Sequence, residues 1–260
     1  MPELPEVETF KRYLDKTSLN QTIKGVTVID NRILNVDESY LRKSVINKRF
    51  ESSTRHGKYL LVNLKSKYLI LHFGMTGDLE YYNTKDEQPK YSKVIFQFTS
   101  GFNLAYISRR MFGKLHIADS IDEFINEKKL GPDAYKMSYE DFKKAVSRRT
   151  AIMKNLLLNQ SFVAGIGNIY SDEILFKSKL NPKSRINLLD DTKTVELFNN
   201  IKQVLKFGIE KEGDLSTYPD SYLIPHRKKE ENCPACGIKL ERFELSGRHA
   251  FFCPNCQKES

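Results

Sequence analysis

Residues 233–256 have the sequence CPACGIKLERFELSGRHAFFCPNC, in which two Cys-x-x-Cys pairs are separated by sixteen residues. Two facing turns of this kind place four thiolates in the tetrahedral arrangement that Zn²⁺ prefers in proteins. All the cysteines of the chain lie here, and they are Cys233, Cys236, Cys253 and Cys256. Because four thiolates leave no coordination position for water, the sequence predicts one structural zinc ion in a C-terminal ribbon and no catalytic metal.

The residues between the two cysteine pairs are predicted to form a β-hairpin. Residues 239–243 and 250–252 are its strands, and Arg248 lies at the turn. A guanidinium on a rigid hairpin tip suits a bidentate contact with a phosphate. A solvated arginine, or a ribbon that contacts another protein, explains the same residues equally well.

Composition narrows the class of partner. The chain has 260 residues, of which 40% are hydrophobic, enough for two or three domains with real cores. Its 42 Lys and Arg against 33 Asp and Glu give a net charge of +9, which favours a polyanion such as nucleic acid, although solubility or a membrane surface would also account for it. The sequence contains neither an apolar run of spanning length nor a signal peptide, so we expect an intracellular protein without membrane association.

The first half of the chain is predicted to be a β-sandwich or barrel with flanking helices. One helix follows the N-terminal prolines and another covers residues 121–130, before Gly131-Pro132-Asp133 breaks the chain. Short runs with strand-like alternation lie between these helices, at residues 23–29, 59–64, 68–73, 79–82, 94–98 and 104–107.

The second half has helical periodicity, with Ser138 and Ser171 as plausible N-caps. The predicted helices cover residues 139–146, 150–158, 169–176 and 190–209. Residues 213–231 are polar, basic and punctuated by prolines, which predicts a loop or linker. The fold class is therefore multidomain α+β, with a sandwich domain at 1–131, a helical domain at 132–225 and the ribbon at 226–260.

The N-terminus suggests a nucleophile. Pro2 follows Met1 directly, so removal of the methionine exposes a secondary amine next to the carboxylate of Glu3. An α-amino group titrates near 7.7 to 8.0, well below a lysine, and a secondary amine condenses with an aldehyde-like carbon to an iminium. Glu3 is placed to supply the acid that such a reaction needs. The alternative is an ordinary frayed terminus.

Together with the ribbon and the N-terminal Pro2-Glu3-Leu4-Pro5-Glu6-Val7-Glu8, four motifs closely resemble the formamidopyrimidine-DNA glycosylase family, in order and over nearly the whole chain. The motifs are Gly57-Lys58-Tyr59-Leu60, His72-Phe73-Gly74-Met75-Thr76-Gly77, Arg110-Met111-Phe112-Gly113 and Gly165-Ile166-Gly167-Asn168-Ile169-Tyr170 followed by Glu173. Each is weak alone, whereas their order and their coincidence with a four-cysteine ribbon are specific.

The resemblance implies a bifunctional base-excision repair enzyme. Such an enzyme removes oxidised or ring-opened purines from double-stranded DNA, cuts the abasic strand, and acts as a monomer without a diffusible cofactor. On this basis Pro2 attacks C1′, Glu3 assists sugar-ring opening, Lys58 transfers protons during elimination, Arg248 aids the second elimination and Glu6 positions the damaged nucleoside. The helical domain is expected to be of the helix-two-turn-helix type.

Other residues are expected at the DNA. Extrusion of a base costs a few kcal/mol, and apolar wedges with an arginine offset that cost. Met75, Arg110 and Phe112 resemble the family's residues for this task, although core packing of Met75 and Phe112 is the alternative. Asn168 resembles the family residue that contacts a DNA phosphate, and Arg148 lies at a basic position that contacts DNA in the family.

Several positions depart from the family pattern. Met111 stands where the family often has a second arginine, and Met153 where it usually has a lysine. Lys93 replaces a family histidine and is still expected to contact DNA. Residues 214–232 are shorter than, and unlike, the family segment that caps an oxidised guanine, so the lesion preference stays open. An endonuclease VIII-like enzyme for oxidised pyrimidines and a non-catalytic zinc-ribbon protein that binds nucleic acid are the alternatives.

Overall fold

The computed structural model of the protein describes residues 1–147, 149–245 and 247–258. These residues divide into two compact units. The first contains Met1–Pro2 and Glu6–Lys128, and the second contains Glu3–Pro5 and the chain from Lys129 onward. Helix α1 (Leu4–Ser18) therefore begins in the second unit and continues in the first.

The first unit is a sandwich of two antiparallel four-stranded sheets, which confirms the predicted class. Its strands are β1 (Ile23–Val28), β2 (Ser52–His56), β3 (Tyr59–Asn63), β4 (Tyr68–His72), β5 (Gly77–Asn83), β6 (Ser92–Phe98), β7 (Phe102–Ser108) and β8 (Lys114–Ala118). The strand orders are β1-β6-β7-β5 and β2-β3-β4-β8. Large aromatic side chains such as Phe50, Phe73 and Phe96 fill the core between the sheets.

One α-helix and two strands of this unit were not predicted. Helix α2 (Glu38–Val45) and strands β2 and β8 contain only five to eight residues each, too few for a period to stand out in the sequence. Pairing with β3 and β4 stabilises β2 and β8, because each supplies an outer strand to a buried pair. Helix α3 (Ile121–Glu127) ends three residues earlier than expected.

The second unit contains helices α4 (Tyr139–Val146), α5 (Met153–Leu158), α6 (Asn168–Lys177) and α7 (Asp191–Glu210). Ser138 caps α4 by accepting a hydrogen bond from the N–H of Asp141, as expected. The prediction for Ser171 is wrong, because this residue lies inside α6 and donates its hydroxyl to the carbonyl of Gly167, the actual N-cap residue. Residues on all sides of α6 are buried, and they include the polar Ser171, Asp172 and Glu173.

The ribbon and the preceding segment also belong to the second unit. The hairpin strands are β9 (Glu241–Leu245) and β10 (Arg248–Phe252). Residues 213–231 are not a free linker: they form 3-10 turns at Leu215–Thr217 and Ile224–His226, and the ring of Tyr222 stacks on Phe207 with 4.8 Å between centroids. The aromatic residues, which the polar composition obscured, anchor the segment.

No helix in the described ranges combines the length and the apolar character needed to cross a membrane.

Candidate functional site

Glu3 is fixed at the start of α6. Its side chain is 2% exposed, and its carboxylate oxygens accept hydrogen bonds from the N–H groups of Gly167 at 2.7 Å, Ile169 at 2.9 Å and Tyr170 at 3.3 Å. Free N–H groups and the positive end of the helix dipole make a helix start a favourable place for a carboxylate. A Cβ on Gly167 would lie 2.2 Å from Cδ of Glu3, so only glycine allows this contact.

Pro2 is covalently adjacent to Glu3, and both Pro2 and Glu6 are partly exposed. The nitrogen of Pro2 is an amide while Met1 is attached. Glu6 lies in the first turn of α1. The hydrogen bonds of Glu3 thus fix the residue that follows the candidate amine in the chain.

Lys58 lies at the tight turn between β2 and β3. His56 pairs with Tyr59 across this turn, and Gly57 adopts a φ of +55°, which glycine tolerates without strain. The ammonium-bearing side chain of Lys58 is only 7% exposed. Burial and, to a lesser extent, the positive charge of Lys58 together lower the pKa of His72 to about 4.

Met75, Arg110 and Phe112 come together on two touching loops, residues 74–76 and 109–113, which we call the edge loops. The side chains of Met75 and Phe112 are 40% and 56% exposed, so neither belongs to the core. The loops meet where a Cβ on Gly74 would lie 2.3 Å from the carbonyl carbon of Phe112, and the N–H of Arg110 donates to Oγ1 of Thr76 at 3.0 Å. The guanidinium of Arg110 lies 5.3 Å from the centroid of the Phe112 ring.

Met111 explains one departure in the sequence. Its φ is +61°, and its partly buried side chain packs against the sandwich core. A methionine at this position therefore contributes packing where a second arginine would contribute charge.

Lys93 lies in an irregular part of β6, where the register with β7 shifts between Ser92 and Val94. Ser92 pairs with Ile107, and the N–H of Ser108 donates to the carbonyl of Tyr91. Lys93 thus lies near the end of β7 from which the Arg110 loop departs.

The side chain of Asn168 makes a hydrogen bond within the protein. It begins α6, and its side-chain N–H donates to the carbonyl of His249 in β10 at 3.0 Å. This contact joins the helix start to the ribbon hairpin. Arg248, the first residue of β10, is exposed beside Gly247, whose φ is +71°. Arg148 lies outside the described residues.

A buried ion cluster that the sequence did not predict lies behind this helix start. The carboxylate of Asp172 accepts from Nζ of Lys154 at 2.6 Å, from Nε and Nη2 of Arg227 at 2.9 and 2.7 Å, and from the N–H of Phe251 at 3.3 Å. The side chains of Lys154 and Asp172 are fully buried. We call Lys154, Asp172 and Arg227 the Asp172 cluster; it connects α5, α6, the 213–231 segment and β10.

The cluster also changes how the departure at position 153 is interpreted. Met153 is a core residue, and Lys154 beside it carries the buried charge. Nζ of Lys154 additionally donates to the carbonyl of Asn168 and to the hydroxyl of Ser171. The sequence signal was present, since Lys154 is a charged residue in the mostly apolar helix α5, but its partners are 14 to 18 residues away.

A cavity of about 400 Å³ adjoins this helix start within the second unit. Its walls include Ile169, Tyr218, Ile224 and Arg227. The buried carboxyl of Glu173 accepts from the N–H of Ile224 at 2.8 Å and so supports one wall. Burial raises the pKa of Glu173 to about 7, against the lowering effect of that hydrogen bond.

The four cysteines lie together as predicted. Their sulfur atoms are all within 4.8 Å of one another, with 3.8 Å between Cys233 and Cys256 and 3.5 Å between Cys236 and Cys253. Four thiolates around a tetrahedral ion with bonds of about 2.3 Å require separations of this size. The residues fit one structural zinc ion, and a filled thiolate shell gives that ion no catalytic position.

Comparison with family models matches three consecutive parts of the chain. Residues 1–115 match the formamidopyrimidine-DNA glycosylase N-terminal domain, residues 130–220 match its H2TH domain, and residues 230–258 match a zinc finger found in FPG and IleRS.

Two named relatives are similar over essentially their full length. A formamidopyrimidine-DNA glycosylase of Pelotomaculum thermopropionicum is 34% identical over 275 residues, and one of Ligilactobacillus salivarius is 35% identical over 272 residues. In both cases the alignment covers 99% of each chain.

Two solved structures show the same fold with DNA bound. Lactococcus lactis Fpg in complex with DNA containing an abasic site superposes with a TM-score of 0.89, and the same protein with DNA containing FAPY-dG superposes with 0.90. Each is 28% identical, and the match covers 99% of this chain and 100% of the other.

Proposed function

The chain belongs to the formamidopyrimidine-DNA glycosylase family, and on that premise we propose that it excises damaged purines with an amine at its own N-terminus and then cuts the abasic strand. It is a DNA glycosylase of base excision repair. The observation that carries the proposal is the arrangement of Glu3, whose carboxylate is held by three backbone N–H groups immediately beside the candidate nucleophile.

The proposed reaction starts at Pro2. After Met1 is removed, the lone pair of the Pro2 nitrogen attacks C1′ of the extruded nucleotide, and the C1′–N bond to the base breaks. The base departs with the bonding electrons and takes up a proton, and the Pro2 nitrogen, now bonded to C1′, releases its own proton. Glu3 assists opening of the sugar ring by proton transfer to the ring oxygen, which yields an iminium between C1′ and the Pro2 nitrogen.

Strand cleavage follows from the iminium. It makes the C2′ proton acidic, so that loss of this proton expels the 3′ phosphate by β-elimination, and a second, δ-elimination expels the 5′ phosphate. Lys58, buried at the β2–β3 turn, is proposed to transfer protons in these steps. Arg248 on the ribbon is proposed to contact phosphate and aid the second elimination.

The remaining residues are proposed to hold distorted DNA. The exposure of Met75 and Phe112 beside Arg110 supports insertion into the space that the base vacates. Glu6 is proposed to position the damaged nucleoside. Three residues are proposed to contact the DNA backbone, and they are Lys93, Arg148 and Asn168.

The proposed substrate class is oxidised or ring-opened purine in double-stranded DNA. The two solved relatives bind DNA with an abasic site or with FAPY-dG, which supports this class. We further propose domain boundaries at 131/132 and 225/226, action as a monomer, and a site of action inside the cell at the nucleoid, where the substrate is.

Borohydride trapping tests the amine. With mass spectrometry confirming removal of Met1, the wild type is expected to form a covalent adduct with an abasic or 8-oxoguanine duplex, and Pro2→Gly is expected to lose it. Pro5→Ala is the matched control, because the nitrogen of Pro5 is always an amide, and it should retain the adduct. Processed wild type that traps none of the purine or abasic duplexes overturns the proposal. Preference for oxidised pyrimidines in a panel of lesion duplexes favours the endonuclease VIII-like alternative.

A further inference from the structure

Two adjoining cavities lie beside the turn between β3 and β4 in the first unit. Their volumes are about 330 and about 320 Å³, and Lys48 and Ser66 line both. Lys65 lines the first, and Lys43 and Ser44 line the second. We call the two cavities together the basic groove.

The groove concentrates positive charge that the protein neutralises only in part, with Glu51 as a carboxylate in its lining. Arg49 pairs with Glu51 at 2.7 Å, and Lys67 pairs with Asp119. Within the described chain, by contrast, no carboxylate comes within the 4.0 Å of an ion pair from the ammonium groups of Lys43, Lys48 and Lys65, lysines that line the groove. Neighbouring ammonium groups repel one another, and a bound anion relieves that repulsion.

Ser44 is a second, independent indication of a ligand. Its side chain is 5% exposed, and among the described residues its hydroxyl has no hydrogen-bond partner. A buried hydroxyl without a partner is unfavourable and is usually satisfied by water or a ligand. An oxygen of a bound anion would accept from this hydroxyl while the lysines balance the charge.

The groove lies at the opposite end of the β3–β4 pair from Lys58. Asn63 pairs with Tyr68 at the groove end of the β3–β4 pair, whereas Tyr59 pairs with His72 at the end that carries Lys58. Four strand steps separate these ends, which corresponds to about 13 Å. A phosphate in the groove is therefore not one that Lys58 contacts.

We propose that the basic groove binds phosphate and that the phosphate belongs to the backbone of a DNA segment other than the one under repair. Lysines on flexible stems suit phosphate as point charges without sequence preference. Two phosphate-binding faces on one unit allow the enzyme to contact a second segment before it leaves the first. Only the choice of DNA as the source rests on the proposed function.

Inorganic phosphate tests the site. Against chloride at matched ionic strength, saturating phosphate is expected to raise the Tm of the wild type by about 2–4 °C, and Lys43→Gln/Lys48→Gln is expected to lose most of that shift. Lys24→Gln/Lys85→Gln, which removes the same charge elsewhere in the unit, should keep it. Ser44→Ala should raise the Tm without phosphate and reduce the shift, a combination that simple destabilisation does not produce. An equal shift in all variants, or none in the wild type, overturns the site.

A second duplex tests the source of the phosphate. Enzyme saturated with an abasic-site duplex is expected to bind a labelled undamaged duplex and form a ternary complex in sedimentation, which Lys43→Gln/Lys48→Gln loses while excision from a short duplex is unchanged. A phosphate shift without a ternary complex assigns the groove to small phosphate compounds and rejects DNA. If trapping at Pro2 fails while phosphate still binds the groove, the proposed function fails and the groove stands.

Discussion

The edge loops of the first unit and the Asp172 cluster of the second unit use charge and exposure in opposite ways. The edge loops expose Met75 and Phe112 beside an arginine, an arrangement that contributes little to folding. The Asp172 cluster hides a lysine, an arginine and a carboxylate from water and satisfies the carboxylate with several donors. The first arrangement suits contact with a partner, and the second suits the rigid attachment of the ribbon and the 213–231 segment to α6.

The largest effect is expected from loss of zinc, because the zinc ion stabilises the ribbon hairpin. The Asp172 cluster contacts this hairpin through the N–H of Phe251. Chelation, or Cys253→Ser, should unfold the ribbon and abolish duplex binding, because a small thiolate-bound module has little core of its own. Fluorescence anisotropy with parallel zinc quantification checks this. Salt-sensitive affinity that persists after verified zinc loss would show that the ribbon is dispensable.

Removal of the carboxylate at the centre of the cluster should have the next largest effect. Asp172→Asn leaves Lys154 and Arg227 without their buried partner and is expected to lower the free energy of unfolding by about 3–5 kcal/mol. Glu210→Ala, which breaks the exposed pair with Lys206, should cost less than about 1 kcal/mol. Urea unfolding of the zinc-loaded protein measures both. Equal losses would remove the distinction between buried and exposed charge.

Glu173, next to Asp172 in the chain, makes stability depend on pH. The pKa of Glu173 is raised to about 7 in the folded protein, so as the pH rises this carboxyl loses its proton in the unfolded state before it does so in the folded state. The free energy of unfolding therefore falls from about pH 4.5 upward and levels off above pH 7. Glu173→Gln mimics the protonated acid and should match the wild type at pH 4 and exceed it by about 3 kcal/mol at pH 8. Thermal or urea unfolding at the two pH values, with exposed Glu140→Gln as the control, checks the sign. A variant less stable at pH 8 than the wild type contradicts it.

The smallest effect on stability is expected at the edge loops. Met75→Ala and Phe112→Ala should each change the free energy of unfolding by no more than about 0.5 kcal/mol, yet slow single-turnover excision at least about tenfold. Met111→Ala is the matched control, because Met111 packs against the core: it should cost about 1 kcal/mol and affect excision less. The reverse order of effects would assign Met75 and Phe112 to the core.

Much of the fold and of the zinc site could be predicted from the sequence. The zinc ligands, the two main classes of domain and most strands and helices follow from spacing and periodicity, which are local properties. Local signals failed for α2, β2 and β8, whose polar residues become ordered only through their neighbours, and for Ser171, where hydroxyl chemistry suggested a cap inside a buried helix.

By itself the sequence determined the four-thiolate zinc site and the order of motifs that identifies the family, because both depend only on which residues stand at which spacing. Tertiary structure alone decided which charges are buried and which are exposed. Lys154, Asp172 and Arg227 become a cluster only when α5, α6 and the 213–231 segment pack together, and three lysines become a groove only at a strand turn. Burial and proximity across the chain set the energy of a charge, and a linear sequence records neither.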